Sequence, residues 1–444
     1  MKSIRLLFLL ILFLSCSKID PLTWGDNHTR IAELPGARTV FASHILKSGE
    51  WLAVASGKDP SGNYSILNSY RCPARNGAWT GPDSALKLGG DCRRLYLSQM
   101  EDGLLSLLLG TEKIAEDSSL FQTFMAYSYD YGRLYTVPKP VQVQGYHSLR
   151  PAGKMIELSD ASRLFPAAAH NMSDHPVMLT LRSIDGEHWQ VVPVAVFPDS
   201  IDLKQVSASI LQKEPGKLIG LISDGDPQHK IERISSNDWG LTWSEPAETN
   251  IAGANADLIR TWDGALVSVF LDAYPNGISM QTSFDGGRTW ENEKTVWSAS
   301  LPVLSRFSGP VLGLFPDHTL AVTYTNPKKM GADLNAVFFT LSDFQVPAGL
   351  SASKDSEGHV SLRWNVIRNA DYYLVFRDLE ENFVPDVHPA QGNIIGMPCA
   401  NQFKDLSADT SMTYFYRIAP VRGRGLLDPN GGGIGQPSEA VTAQ

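Results

Sequence analysis

The sequence predicts an all-β chain, a six-bladed β-propeller followed by a β-sandwich, and three observations carry that expectation. A polar tight turn followed by a short apolar strand recurs six times, a second turn motif recurs in phase with it, and beyond residue 346 both give way to alternating strands. The first turns read Ser48-Gly49-Glu50, Asp102-Gly103, Pro215-Gly216, Asp263-Gly264 and Asp317-His318, with Ser162-Arg163 as a weaker member. The leucines behind them, Leu52, Leu105, Leu164, Leu218, Leu266 and Leu320, stand 53, 59, 54, 48 and 54 residues apart. Runs such as Leu104 to Leu109 and Leu266 to Leu271 are apolar and bounded by turn residues, which is the pattern of a buried strand. About fifty residues hold four strands with short loops, too few to cover both faces of a sheet, so the copies must stack radially.

The chain has 444 residues, of which 19% are charged and 43% hydrophobic, with 38 basic against 47 acidic side chains and a net charge of -9. This composition excludes a disordered polyampholyte, a collagen-like repeat and a disulfide-rich miniprotein. An acidic balance without a Lys/Arg block also argues against a nucleic-acid partner, because such binding rests on neutralising many phosphates. At the N-terminus Lys2 and Arg5 precede the apolar run Leu6 to Leu14 and then Ser15-Cys16. That run is too short to span a bilayer and reads as an export signal over residues 1–16, with 17–28 as a tether. It resembles a bacterial lipoprotein signal, which implies lipidation at Cys16 and attachment to a membrane of the cell envelope or to the cell surface. An ordinary cleaved signal with a chance Cys is the alternative. Cys72, Cys92 and Cys399 remain, and a Cys72–Cys92 bridge is the one internal pairing considered.

The second motif appears in full as Ser283-Phe284-Asp285-Gly286-Gly287-Arg288-Thr289-Trp290 and Ser236-Asn237-Asp238-Trp239-Gly240-Leu241-Thr242-Trp243. Degenerate copies run from Ser128 to Tyr135, from Ser183 to Trp189 and from Ser69 to Trp79. Ser and Asp bond the backbone of a tight turn, Gly supplies a positive φ, and Trp covers the end of the hairpin between blades. These copies resemble the Asp-box, or bacterial neuraminidase repeat, of the sialidase-like propellers. The resemblance makes them structural turns on the face away from the ligand and assigns the propeller to residues 29–346. In residues 347–444, Trp364 and the strand Tyr414-Phe415-Tyr416 resemble a fibronectin type III sandwich, with Arg377 to Asn401 as a long insertion.

In a propeller the ligand face is lined by the loops between blades and by the loop after each blade's second strand. The repeat places Arg38, Asp91, Arg93, Arg94, His147, Arg150, Lys204, Gln205, Asn255, Asp257 and Arg306 in inter-blade loops. Mid-blade loops hold Lys58 and Asp59, the set His170, Asp174 and His175, the set Asp224, Asp226 and His229, and Asp272. Sialidases hold a sugar carboxylate with three arginines, whose planar forks donate paired charge-assisted bonds. They also use an aspartate as acid/base and a tyrosine nucleophile. The resemblance puts Arg38 at the first arginine, Asp59 at the acid/base and Lys58 near the second arginine. Asp224 and Asp272 stand where the remaining arginines are expected, and Arg306-Phe307-Ser308 stands where a Tyr-Ser pair is expected.

From these residues an acidic mouth follows, in which Asp59, Asp224 and Asp272, with Asp226 and Asp257, offer the two carboxyls that glycoside hydrolysis needs. Arg38, Lys58, Arg93, Arg150 and Arg306 are the candidate substrate contacts. The expected function is glycan-acting, an exo-glycosidase of the sialidase-like class. The alternative is a non-catalytic propeller that captures a glycan or protein at the surface. His170, Asp174 and His175 lack the fixed spacing of a helical His pair, so no metal and no cofactor are expected.

Overall fold

A computed structural model of the chain describes residues 22–24, 28–34, 40–58, 64–73, 77–114, 119–261, 265–273, 276–298, 309–315, 320–328, 332–341, 347–367, 370, 372–386, 392–422, 433–435 and 437–443. The described residues form antiparallel sheets, and six of them follow the sequence repeat. Blade one comprises Phe41–Ile45, Trp51–Lys58, Tyr64–Cys72 and Thr80–Gly89 in that spatial order. Blade two comprises Asp91–Gln99, Leu105–Ile114, Ser119–Ser128 and Lys139–Pro140. Blade three is built on Tyr146–Pro151, Arg163–Asn171, Pro176–Ser183 and Gln190–Val196, with the short strand Ile156–Glu157 beside its second strand. Blades four and five start at Ser207–Glu214 and Ala254–Arg260 and end at Ala247–Ala252 and Glu291–Ser298.

Blade six closes the ring. Its inner strands Val311–Leu314, Leu320–Pro327 and Ala332–Leu341 take their outer partners from the other end of the chain, Thr29–Leu34 and Leu22–Trp24. Its first strand lies against that of blade one, as first strands do at the other junctions except that between blades three and four, where Arg163–Asn171 meets Ser207–Glu214. Residues 22–24 therefore belong to a sheet, inside the span that the sequence reading gave to a tether. Closure leaves no blade with a bare inner face. Each core cluster bridges two neighbours: Val269 and Leu271 of blade five meet Leu320 and Val322 of blade six, and Phe41 and Trp51 of blade one meet Phe315 and Ala321 of blade six. Trp51 is fully buried, its ring 5.2 Å from that of Trp79 and 5.5 Å from that of Phe315.

The two repeating motifs fall where their chemistry requires. The first joins the first and second strands of a blade, and the Asp-box joins the third and fourth, so both lie at one end of the ring. In the fifth blade Asp285 accepts from the Ser283 hydroxyl at 2.9 Å, the Arg288 N–H at 2.9 Å and the Thr289 hydroxyl at 2.7 Å, while the Gly287 N–H donates to Ser283 Oγ at 2.8 Å. Gly287 has φ 81, where a side chain is strained, and a Cβ there would also meet Ile219 of the blade before. Trp290 caps that same neighbour through Ile219 and Leu221. Trp243 does likewise one blade earlier, donating its indole N–H to Thr180 at 3.0 Å.

The four Asp-box carboxyls among the described residues, Asp130, Asp185, Asp238 and Asp285, titrate below the usual carboxylate range. The Leu134 N–H holds down Asp130 and the His188 N–H holds down Asp185. At Asp238 and Asp285 partial burial opposes ionisation, but the bonds from Thr242 and Thr289 outweigh it. A carboxyl depressed in the folded state stabilises it above the unfolded value, near 4, and that contribution is lost as pH falls through the folded value. Thermal melting is expected to stay level from neutral pH to about pH 5 and then to drop toward pH 2. Asp285→Ala should cost about 1–3 kcal/mol at neutral pH and flatten part of that acid slope. An acid slope unchanged in the variant would sink this assignment.

The C-terminal residues form two facing sheets. One has Ser351–Lys354, Val360–Arg363 and Gln402–Asp405, and the other has Ile394–Gly396, Tyr372–Asp378, Phe415–Arg422 and Gly433–Ile434, with Val441–Thr442 beside Phe415–Arg422. Leu362 and Trp364 from the first meet Tyr373, Val375 and Ile418 from the second in one core. The segment expected as a long insertion contributes Ile394–Gly396, a strand paired with Tyr372–Asp378. Cys72 and Cys92 form no disulfide. Cys72 faces Trp51 in the register of blade one, whereas Cys92 faces Thr111 at the opposite end of blade two. Burial pushes the Cys92 thiol up to about 12, so it stays protonated.

Candidate functional site

A cavity of 990 Å³ opens over the axis of the ring, lined where the first strands begin. This is the end opposite the Asp-boxes, since each first strand runs from here toward its turn. Blade three shapes the cavity by breaking its first strand. Residues 152–155 separate Tyr146–Pro151 from Ile156–Glu157, and Gly153 passes so close to the Ala208 carbonyl that a Cβ would overlap it. The break delivers Lys154 to the axis, where its ammonium meets Asp257 at 2.6 Å and the Leu312 carbonyl at 3.2 Å. Asp257 also accepts from the Leu312 N–H at 2.7 Å and the Ser209 hydroxyl at 3.1 Å. One carboxylate thus joins blades three, four, five and six, with its lone pairs fully engaged.

The wall from blades two and four is rich in cations. Arg93 reaches Asp91 at 2.9 Å and Glu112 at 3.1 Å, and Glu112 takes Lys204 at 2.9 Å. Burial resists ionisation of Glu112, but the Lys204 bond and the charges of Lys204 and Arg93 prevail and hold its pKa down. Arg94 differs, since its guanidinium donates to the Lys204 carbonyl at 2.5 Å and the Val206 carbonyl at 3.3 Å and lies 3.5 Å from the Tyr96 hydroxyl. Among the described residues its acceptors are neutral. Burial raises the Tyr96 phenol, Arg94 opposes the shift and Asp257 adds to it, so Tyr96 is a proton donor at neutral pH. Deeper on the axis, burial and the charge of Lys154 push His44 down to about 3 and keep it neutral. Ser207 and Asn255 line the cavity, and among the described residues their buried Oγ and Oδ1 have no hydrogen-bond partner.

The residues expected from the sequence are distributed unevenly about this cavity. Arg93 lines it. Arg150 is buried behind the wall with its guanidinium 4.0 Å over the ring of Phe121, a lining residue, and burial lowers its pKa to about 10. Asp224 and Asp272 are not among the described lining residues. Asp224 bonds His229 at 2.7 Å, and Asp272 is buried and accepts the Ser279 hydroxyl at 2.7 Å. The described lining carries Arg93, Arg94, Lys154 and Lys204 against Glu112, Asp202 and Asp257. Arg38, Asp59, Arg306 and Cys16 lie outside the described residues, as does the side chain of Lys58. Lys154 and Tyr96 escaped the sequence reading. Tyr96 sits in Leu95-Tyr96-Leu97, which reads as core, and only the broken strand reveals Lys154.

The comparisons agree with the propeller fold. Residues 95–300 match the BNR repeat-like domain. Among solved structures, a protein of unknown function from Dyadobacter fermentans is 16% identical over 73% of this chain and 100% of its own, with a TM-score of 0.60. The NanB sialidase from Streptococcus pneumoniae is 11% identical over 73% of this chain and 71% of its own, with a TM-score of 0.53. An alpha-L-arabinanase from Penicillium chrysogenum is 12% identical over 72% and 99%, with a TM-score of 0.51. No curated protein matches the sequence. At these identities the common property is the propeller fold, on which different glycosidases are built.

Proposed function

We propose that the chain is an exported, lipid-anchored propeller that seats the terminal sugar of a glycan in its axial cavity and cleaves the bond behind it. The observation that carries this reading is the unmatched hydrogen-bonding capacity of the wall. Among the described residues Ser207 Oγ and Asn255 Oδ1, on side chains that line the cavity, are buried without partners, and a hydroxyl-rich ligand that reached them would supply both. A cavity of 990 Å³ suits a small saccharide. Arg94, whose described acceptors are neutral, has charge to offer a carboxylate, which favours an acidic sugar such as a sialic or uronic acid. Tyr96 donates a proton or hydrogen bond beside it. Asp59, which follows the strand Trp51–Lys58 in the sequence and matches the acid/base aspartate of the sialidase resemblance, is the candidate general acid. The C-terminal sandwich is read as a fibronectin type III-like spacer, and Cys16 as the lipid attachment point.

One observation favours capture without hydrolysis. Glu112 and Asp257, two carboxylates of the described cavity wall, are both held in ion pairs, Glu112 by Arg93 and Lys204 and Asp257 by Lys154, so neither carboxylate is free to face a ligand. The two readings separate in an assay of monosaccharide release from sialylated, uronic acid-bearing and neutral glycans, run with the lipid-free chain and its Asp59→Asn variant. Release of an acidic sugar, abolished by Asp59→Asn, is the expected result. Release of neutral sugars alone would reject the acidic substrate, and binding without release from any glycan would establish capture.

A further inference from the structure

We infer that His147, His170 and Asp174 form a divalent transition-metal site on the rim of blade three, at the end of the ring that carries the cavity. His147 lies on Tyr146–Pro151 and His170 on Arg163–Asn171, and the two are direct cross-strand partners. Their side chains consequently leave the same face of the sheet. The rings are stacked, with centroids 5.5 Å apart and planes 21° apart. Asp174 completes the group with Oδ1 3.1 Å from His147 Nε2, and one ligand atom from each residue lies within 4.8 Å of the others.

The turn that supplies Asp174 is fixed by its own bonds. Asn171 Oδ1 accepts from the Ser173 N–H at 2.9 Å and the His175 N–H at 3.0 Å, while the Asp174 N–H bonds the Asn171 carbonyl at 2.9 Å. Asp174 itself has φ 63, a conformation an Asp tolerates better than most residues and one that this double-bonded turn holds in place. The three ligand atoms lie within 4.8 Å of one another, and binding would draw them by side-chain shifts to about 2 Å from a common centre. Two imidazoles and one carboxylate suit Zn²⁺ and its neighbours rather than Ca²⁺ or Mg²⁺, which prefer all-oxygen shells. Three protein ligands leave coordination positions open to water or to a donor atom of a bound ligand. His175, one residue further on, is excluded from the set because its ring turns away to Asp199 at 2.8 Å.

The test is a titration of the chelator-stripped full chain with ZnCl2, followed calorimetrically, and with CoCl2, followed by visible absorption. One ion per chain is expected, with a Co²⁺ spectrum in the visible. Affinity should fall by about tenfold or more in each of His147→Asn, His170→Asn and Asp174→Asn, and stay unchanged in His175→Asn. These side chains are exposed or half-buried, so the variants should melt like wild type without metal, and that melt is recorded beside each titration. No stoichiometric binding would overturn the inference, as would binding that survives the His147→Asn/His170→Asn double variant or is lost in His175→Asn.

Discussion

Asp257→Ala is expected to destabilise the propeller by about 3 kcal/mol, far more than loss of a surface ion pair. The carboxylate is buried and receives Lys154 at 2.6 Å, the Leu312 N–H at 2.7 Å and the Ser209 hydroxyl at 3.1 Å. Its removal strands an ammonium that is only 23% exposed and leaves a buried backbone donor without an acceptor. Because much of the loss comes from the abandoned charge, Asp257→Ala/Lys154→Met should recover part of it. Urea unfolding of the wild type, both single variants and the double variant checks this as a cycle. A double variant as unstable as the sum of the singles would show that the two side chains act independently.

Removal of residues 1–34 should cost still more, about 5 kcal/mol or above. Ile31 and Leu34 lose their burial against Phe41, Trp51 and Leu334, worth roughly 1.5–3 kcal/mol each. The ladder between Thr29–Leu34 and Ala332–Leu341 goes with them. That total rivals the whole stability of an ordinary domain. The truncation also bares an edge strand running from Ala332 to Leu341, so association of copies through that edge is expected alongside the loss. A monomeric truncated chain with the wild-type unfolding midpoint would refute the claim that the N-terminus closes the ring.

What the sequence disclosed depended on how local the chemistry was. Asp285 and Asp238 serve turns of eight residues, so their partners stand beside them in the chain and the motif is legible by eye. The spacing of Leu52, Leu105 and their successors likewise registers a four-strand unit that repeats. The axial cavity is assembled from every blade, and apart from Arg93, Arg94 and Tyr96 its key groups come from segments far apart in the sequence. Lys154 and Asp257 are 103 residues apart. Arg94 and Asp257 were visible as inter-blade residues, but nothing local distinguishes the buried Asp257 from the rim residue Asp224. His147 and His170 show the same limit: strand register unites them, whereas sequence proximity pointed to His170 with His175.

In the proposed function an acidic sugar occupies the axial cavity against Arg94. The most direct test is calorimetric titration of the Asp59→Asn chain, and of Asp59→Asn/Arg94→Met, with sialyllactose, a glucuronic acid-terminated oligosaccharide and lactose. Arg94 contributes a charge-assisted bond to the ligand in this account, so its loss should weaken binding of an acidic glycan by about tenfold to a hundredfold, with lactose bound weakly by both. Equal affinity of the two proteins for every acidic glycan, or a preference for lactose, would contradict it.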